Sequence, residues 1–363
     1  MKRFLCLIFA AMLLLCGCEK IKEEPTQYDT AANTVGAWIT AFELSSMLEG
    51  KEGFEQEFSN ALDILEGFGV NCIYVHVRAF ADAYYRSSLF PLAAALDQDI
   101  DPLEIMLTQA KKRGMKFFAW INPYRISSSS NDKTTVNEKI VKAVGQESIL
   151  ATDSGIYLDP ASYCARRLVI DGVREVLKNY SIDGIHFDDY FYPTADPAFD
   201  EASYTAYKSK TNTPLPIDAW RRANVNTLIS GTYAAIKALK SDALFSISPT
   251  ADIQGNYSNL FADVRAWCDG QYVDEIIPQL YFGFEYPDEK FRFDTLLDAW
   301  NEYLKGTDVR VLIGLPCYKK NTNEGADRQE WSTNDDIISR QIQCIKEKSP
   351  NAGYVYFSYS SLK

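Results

Sequence analysis

Residues 183–193 read DGIHFDDYFYP. A short apolar run ends in two adjacent aspartates, and aromatics and a proline follow at once. The run has the make-up of a strand that stops where the carboxylates begin. Side chains along a strand alternate between its two faces. Gly184, His186 and Asp188 therefore share one face, and Asp183, Phe187 and Asp189 the other. With the small Gly184 toward a crowded axis, His186 and Asp188 point inward. Asp188 is then a buried central carboxylate, and Asp189 faces the neighbouring loops. The competing reading has one aspartate capping the next turn and the other holding an arginine. The polar inward face weighs against it.

The same kind of segment recurs on both sides. VGAWITAF (35–42), NCIYVHVR (71–78), MKFFAWI (115–121), IDGIHFD (182–188), ALFSISP (243–249), VDEIIPQLYF (273–282), VRVLIGLP (309–316) and AGYVYFSY (352–359) read as strands. Helical spacing fills 54–69, 101–114, 161–180, 216–240, 260–270, 293–306 and 334–348. The helix DPLEIMLTQAKKRG opens on an Asp-Pro cap and closes on basic residues and Gly. The strands carry few charges, as parallel strands buried on both faces do. Strict alternation of eight strands predicts the α/β class and a (β/α)₈ TIM barrel. A doubly wound sheet is the runner-up, but no G-x-G-x-x-G follows the first strand. Only Ser360–Lys363 follow the last strand, so an eighth helix is missing. Either the barrel is left uncovered there or another segment, such as the N-terminal tether, packs in its place.

The N-terminus reads as a targeting segment. MKRF is basic, LCLIFAAMLLL is apolar but short for a membrane span, and LCGC ends at Cys18. That ending resembles a bacterial lipobox with Cys18 lipidated; cleavage by an ordinary signal peptidase is the alternative. The expected organisation is a signal peptide over 1–18, a flexible tether over 19–34, and one domain over 35–363. The expected location is extracytoplasmic, on the bacterial cell surface, with membrane contact through the lipid only. The chain of 363 residues has a net charge of −12, and losing Lys2 and Arg3 makes it more negative still. That argues against nucleic acid as a partner. Tyr (22), Phe (20) and Trp (6) are plentiful enough to fill a core and stack on sugars. Cys72, Cys164, Cys268, Cys317 and Cys344 are odd in number and widely spaced, which is neither a disulfide framework nor a zinc knuckle.

Connections after strands are long (79–100, 122–160, 189–215, 316–333), while those before strands are short. In this fold the site lies at the strand C-terminal face. The exits carry Glu43; Arg78 and Asp82; Asn122, Tyr124 and Arg125; His186, Asp188, Asp189 and Tyr190; Ser248 and Asp252; Gln279, Tyr281 and Glu285; Tyr318 and Lys319; and Tyr359. Carboxylates from strands one, four and six, with Arg and Asn between them, are expected to converge on one mouth.

The stretches GAWITAF, VHVRAFADAYYRSSLFP, DPLEIMLTQAKKRGMKFFAWINPYR, YLDPASY, DGIHFDDYFYP, IIPQLYF and IGLPCYK resemble glycosyl-hydrolase-like family ten (YngK-like) of bacterial lipoproteins. The resemblance covers nearly the whole mature chain. It implies a TIM barrel at the cell surface and a glycoside hydrolase acting on cell-wall or related glycans, peptidoglycan strands lacking peptides among them. The chain departs from that pattern at His76, where the family more often carries Gln, and in its early end. Gly184, His186 and Asp188 also share a spacing with the amylase clan, whose third position is the nucleophile.

Glycoside cleavage needs two carboxyl groups, one to protonate the leaving oxygen and one to act as nucleophile or base. Asp188 is the expected nucleophile or base. Glu285, amid Phe282, Phe284 and Tyr286, is the first candidate for the acid, with Asp189 and Glu43 behind it. Arg78, Asn122, Tyr124 and Arg125 are expected to hold sugar hydroxyls or a lactyl carboxylate. Glu43, Asp82, His186, Gln279 and Lys319 are further substrate-binding candidates, and Trp120, Tyr190 or Tyr281 would stack a sugar. With His76 and His186 the only histidines and no H-x-H or H-E-x-x-H, no metal or cofactor is expected. Two other functions stay open: a non-catalytic glycan-binding lipoprotein, and a glycosidase for another exopolysaccharide. Two carboxylates in one cleft favour an enzyme, and a lone one favours a binder.

Overall fold

The computed structural model describes residues 31–363 apart from 49, 95, 97–99, 129–131 and 322–324. The expected signal peptide over 1–18, with Cys18, and residues 19–30 of the expected tether lie outside the described residues. Eight parallel strands close into a barrel, each paired with its neighbours in chain order. They are β1 (Val35–Ile39), β2 (Cys72–Arg78), β3 (Lys116–Ile121), β4 (Gly184–Phe187), β5 (Leu244–Ile247), β6 (Glu275–Ile276), β7 (Arg310–Leu315) and β8 (Gly353–Tyr356).

Alternation sorts the strand residues as the sequence suggests. Ile73, Val75, Ala119, Ile185, Ile247 and Ile313 face outward into the layer between barrel and helices. Trp38, Tyr74, Phe118, Trp120, Ile277 and Val355 fill the interior. Gly184 does face the axis. A Cβ there would run into the Phe118 ring and the Leu244 carbonyl, so only glycine lets the ring cross the barrel.

Several elements differ from expectation. The first strand stops at Ile39, because Thr40 starts a helix, Ala41–Ser46. The Thr40 side chain accepts from the Glu43 N–H and Glu43 accepts from the Thr40 N–H, a reciprocal capping box. The sixth strand shrinks to Glu275–Ile276, because Pro278 has no N–H for the ladder. Pairing resumes beyond it, where Gln279 N–H donates to the Pro249 carbonyl at 3.0 Å. The connection 122–160 holds its own antiparallel sheet of Arg125–Ser127, Gly155–Leu158 and Ile149–Thr152, with a helix at Glu138–Val144.

A short turn at Tyr359–Leu362 follows β8. Residues 31–34, expected in the tether, already belong to the fold: Ala31–Asn33 form a turn beneath the barrel, and Thr34 accepts from the Tyr354 N–H. They sit below β8 rather than over it. The outer face of β8 carries Tyr354 and Tyr356 edge to face, with ring centroids 5.4 Å apart, and Phe68 against Tyr356. Tyr356 is buried in this arrangement.

Candidate active site

At the C-terminal mouth of the barrel lies a cavity of about 230 Å³. One wall is polar: Asp188 and Asp189 follow β4, and Gln279 follows β6. The other is aromatic: Trp38 from β1, Trp120 from β3, and Phe357 after β8. Arg125, Tyr190 and Tyr281 complete the rim. A second cavity, of about 680 Å³, shares Gln279 and Tyr281 with the first and continues past Tyr318, Phe282 and Asp252.

Asp188 is 2% exposed. Its Oδ2 accepts from Trp120 Nε1 at 3.1 Å and from Asn122 Nδ2 at 3.4 Å. Its Oδ1 is buried with no hydrogen-bond partner. Burial raises its pKa to about 7, and the charge of Asp189 adds to the rise; Arg125 and the Trp120 donor oppose it. Asp189 is raised too, again by burial first. Gln279 Nε2 holds its Oδ1 at 3.3 Å and the Ser248 carbonyl at 2.9 Å. The Arg125 guanidinium lies 4.3 Å above the Tyr190 ring and 5.0 Å from that of Phe80.

The loop that presents the two aspartates is fastened from behind. Arg221, on the helix Ile217–Leu239, donates to both oxygens of Asp200 and to the carbonyls of Ala195 and Asp196. Both members of the pair are wholly buried, a bidentate geometry that fixes the course of the chain after Asp189.

Of the residues expected at the site, Asp188, Asp189, Arg125, Tyr190, Gln279 and Tyr281 line the cavity. Asn122 supports Asp188 from beside it. His186 lies beneath, inside the barrel. Its Nε2 accepts from Trp38 Nε1 at 3.1 Å and its Nδ1 bonds Ser246 at 2.9 Å, so both nitrogens are occupied. Burial lowers its pKa to about 3, which keeps it neutral.

The others are elsewhere. Glu285 is exposed and does not line the cavity; its N–H is held by Glu330 at 2.9 Å. Glu43 is taken up by its capping box and by Ser358 Oγ and Ser360 N–H, each at 2.6 Å. Arg78 lies past a bulge in β2, in register with the outward Ile121. The slip turns its side chain out to the helix layer, 4.2 Å over Phe90 and against Gly172. Tyr124 is buried near Arg166 and Asp159, away from the cavity. Asp82 lines a separate cavity of about 380 Å³ with Phe80 and Asn137. Lys319 is paired with Asp327 at 2.9 Å beside the second cavity.

Sequence reasoning missed Trp38, Thr40, Phe42 and Phe357 as cavity residues. The alternation that finds Asp188 also places Gly36, Trp38 and Thr40 on one face of VGAWITAF, which was the available signal.

The model of the family described as Glycosyl hydrolase-like 10 matches residues 34–333. The chain belongs to this family. Among curated relatives it is 32% identical over 332 residues to glycosyl hydrolase YngK of Bacillus subtilis (strain 168), covering 85% of this chain and 64% of the relative. It thus spans under two thirds of YngK. It is 27% identical to glycosyl hydrolase DigH of Escherichia coli (strain K12), covering 86% of this chain and 82% of the relative. The glycoside hydrolase domain of PgaB (BpsB) from Bordetella bronchiseptica superposes with a TM-score of 0.63 at 15% identity, covering 89% of this chain and 93% of that one. Alpha-L-fucosidase isoenzyme 2 from Paenibacillus thiaminolyticus gives 0.58 at 12% identity, covering 91% and 46%. At such identities the likeness is one of fold: the TIM barrel of glycoside hydrolases.

Proposed function

We propose that this protein is a glycoside hydrolase that cuts O-glycosidic bonds of cell-wall (peptidoglycan-type) or related polysaccharide, with Asp188 and Asp189 as its working pair. The observation that carries this reading is two adjacent carboxyl groups, both with raised pKa, lining one cavity with an aromatic wall. Such a pair titrates as a unit and holds one proton over a range of pH. The more deeply buried member, Asp188, keeps it. Its unpartnered Oδ1 is where a leaving oxygen would find the proton.

In this account Asp188 is the general acid, not the nucleophile or base that its strand position alone suggested. It protonates the glycosidic oxygen as the bond to the anomeric carbon breaks. Asp189, ionised and oriented by Gln279, faces the positive charge that builds on the sugar ring. Water then adds its hydroxyl to the anomeric carbon and its proton returns to Asp188. Arg125 is placed to hold an anionic substituent such as a lactyl carboxylate, and Tyr190 and Tyr281 to stack neighbouring sugars. The second cavity suits further units of a chain.

The test is digestion of peptide-free peptidoglycan strands and a panel of exopolysaccharides, with products followed by mass spectrometry. New reducing ends from the first substrate support the reading. Bound but uncut strands would make the protein a glycan-binding scaffold. We further propose anchoring at the cell surface through a lipid on Cys18. Membrane-fraction protein should lose this association in Cys18→Ser; a variant that stays with the membrane contradicts it.

A further inference from the structure

His76 is the polar residue of the aromatic wall. It is 5% exposed and lies flat on the Trp120 ring, with centroids 3.3 Å apart and planes 17° apart. The Ala41 N–H donates to its Nδ1 at 3.2 Å. A nitrogen that accepts carries no proton, so the neutral ring must carry it on Nε2. Burial and the nearby Arg125 charge hold the pKa well below the usual histidine range, so the second proton is absent. His76 is therefore a fixed donor. Its Nε2 is buried and has no partner in the protein.

A buried donor without a partner is costly unless something else satisfies it. Around His76 the cavity offers Trp38, Trp120, Phe42 and Phe357, with Asp188 held at the edge of the Trp120 ring through its Nε1 and Arg125 nearby. The group that suits this corner has an oxygen that only accepts and an apolar end beside it. An acetamido group has both: its carbonyl accepts from Nε2–H, and its methyl packs on the rings. A sugar hydroxyl has no apolar end. We infer that His76 recognises the carbonyl of a 2-acetamido sugar bound between Trp38 and Trp120, making it a specificity-determining residue of the cavity. The inference rests on the reading of the cavity as a sugar site, but not on whether the bond is cut.

Equilibrium binding tests it without hydrolysis. Trp38 and Trp120 line the cavity, so tryptophan fluorescence on rapid mixing reports occupancy. The probes are tetra-N-acetylchitotetraose and cellotetraose, both neutral and β-1,4-linked, which differ in carrying acetamido or hydroxyl at carbon 2. Wild type should bind the acetylated probe tighter by about 10-fold or more, the effect of one well-formed hydrogen bond with some apolar contact. His76→Gln can accept from Ala41 and donate into the cavity, and should keep the preference. His76→Leu should bring the ratio close to one. Equal binding of the two probes by wild type, binding of neither, or a preference that survives in His76→Leu would each overturn the inference. The wild-type ratio needs no variant to fold. Lost cleavage with the ratio intact would instead count against the hydrolase reading alone.

Discussion

A carboxyl whose folded-state pKa is near 7 is ionised at pH 8 in surroundings that resist the charge. In the unfolded chain an aspartate titrates near ~3.9. The folded protein therefore binds more protons between these values, and Asp188 makes stability fall as pH rises through the window. Its cost is complete above the folded pKa and absent below the unfolded one. Asp188→Asn should abolish turnover yet raise stability at pH 8, by on the order of 2–4 kcal/mol, with the difference vanishing near pH 4. Asparagine still accepts from Trp120, so the lost charge is the main change. Thermal melts at the two pH values check this, and equal melting at pH 8 contradicts it. The rate should fall above about pH 7 as the proton leaves Asp188, and at low pH as Asp189 gains one. A pH–rate profile flat from pH 6 to 9 would dismiss the shared-proton pair. Glu285→Gln, at an exposed position, should leave turnover unchanged. At this scale alternation made Asp188 legible, because burial along one strand is a local property. It could not assign the acid, because Glu285 sits on a loop whose course is set by Glu330, far along the chain.

Elements decide which strand-end residues reach the cavity. The four residues Thr40 to Glu43 spell a capping box, and reading it would have shown that Glu43 is a cap and not a ligand. The bulge before Arg78 leaves no such mark, because a one-residue slip is fixed by pairing with β3. Glu43 also ties the first helix to the C-terminal turn through Ser358 and Ser360. Glu43→Ala should lower stability by about 1–3 kcal/mol, measured by denaturant unfolding, with the slope unchanged. Arg221 has the larger effect: Arg221→Met leaves the Asp200 carboxylate buried and unpaired, at a cost of about 3–5 kcal/mol. Turnover in that variant should fall as well, since the loop behind Asp189 loses its fastening. Wild-type stability in Arg221→Met would show that the pair does not hold the loop.

For the whole molecule, eight alternating units were enough to specify the barrel, and the long strand-to-helix connections showed which end carries the site. Element ends shifted where one residue ruled, as at Thr40 and Pro278. The aromatic wall was hidden because Trp38 and Phe357 stand at opposite ends of the chain and meet only when β1 and β8 pair. At the same seam, on the outer face of β8, Tyr354 and Phe68 pack against Tyr356. One measurement tests the central claim directly. Peptide-free peptidoglycan strands are digested in water enriched in oxygen-18, with wild type and Asp188→Asn, and the fragments are weighed by mass spectrometry. The account predicts fragments carrying one heavy oxygen at each new reducing end from wild type, and intact strands from the variant. Labelled fragments formed at similar rates by both proteins, or wild-type fragments without the label, would contradict it.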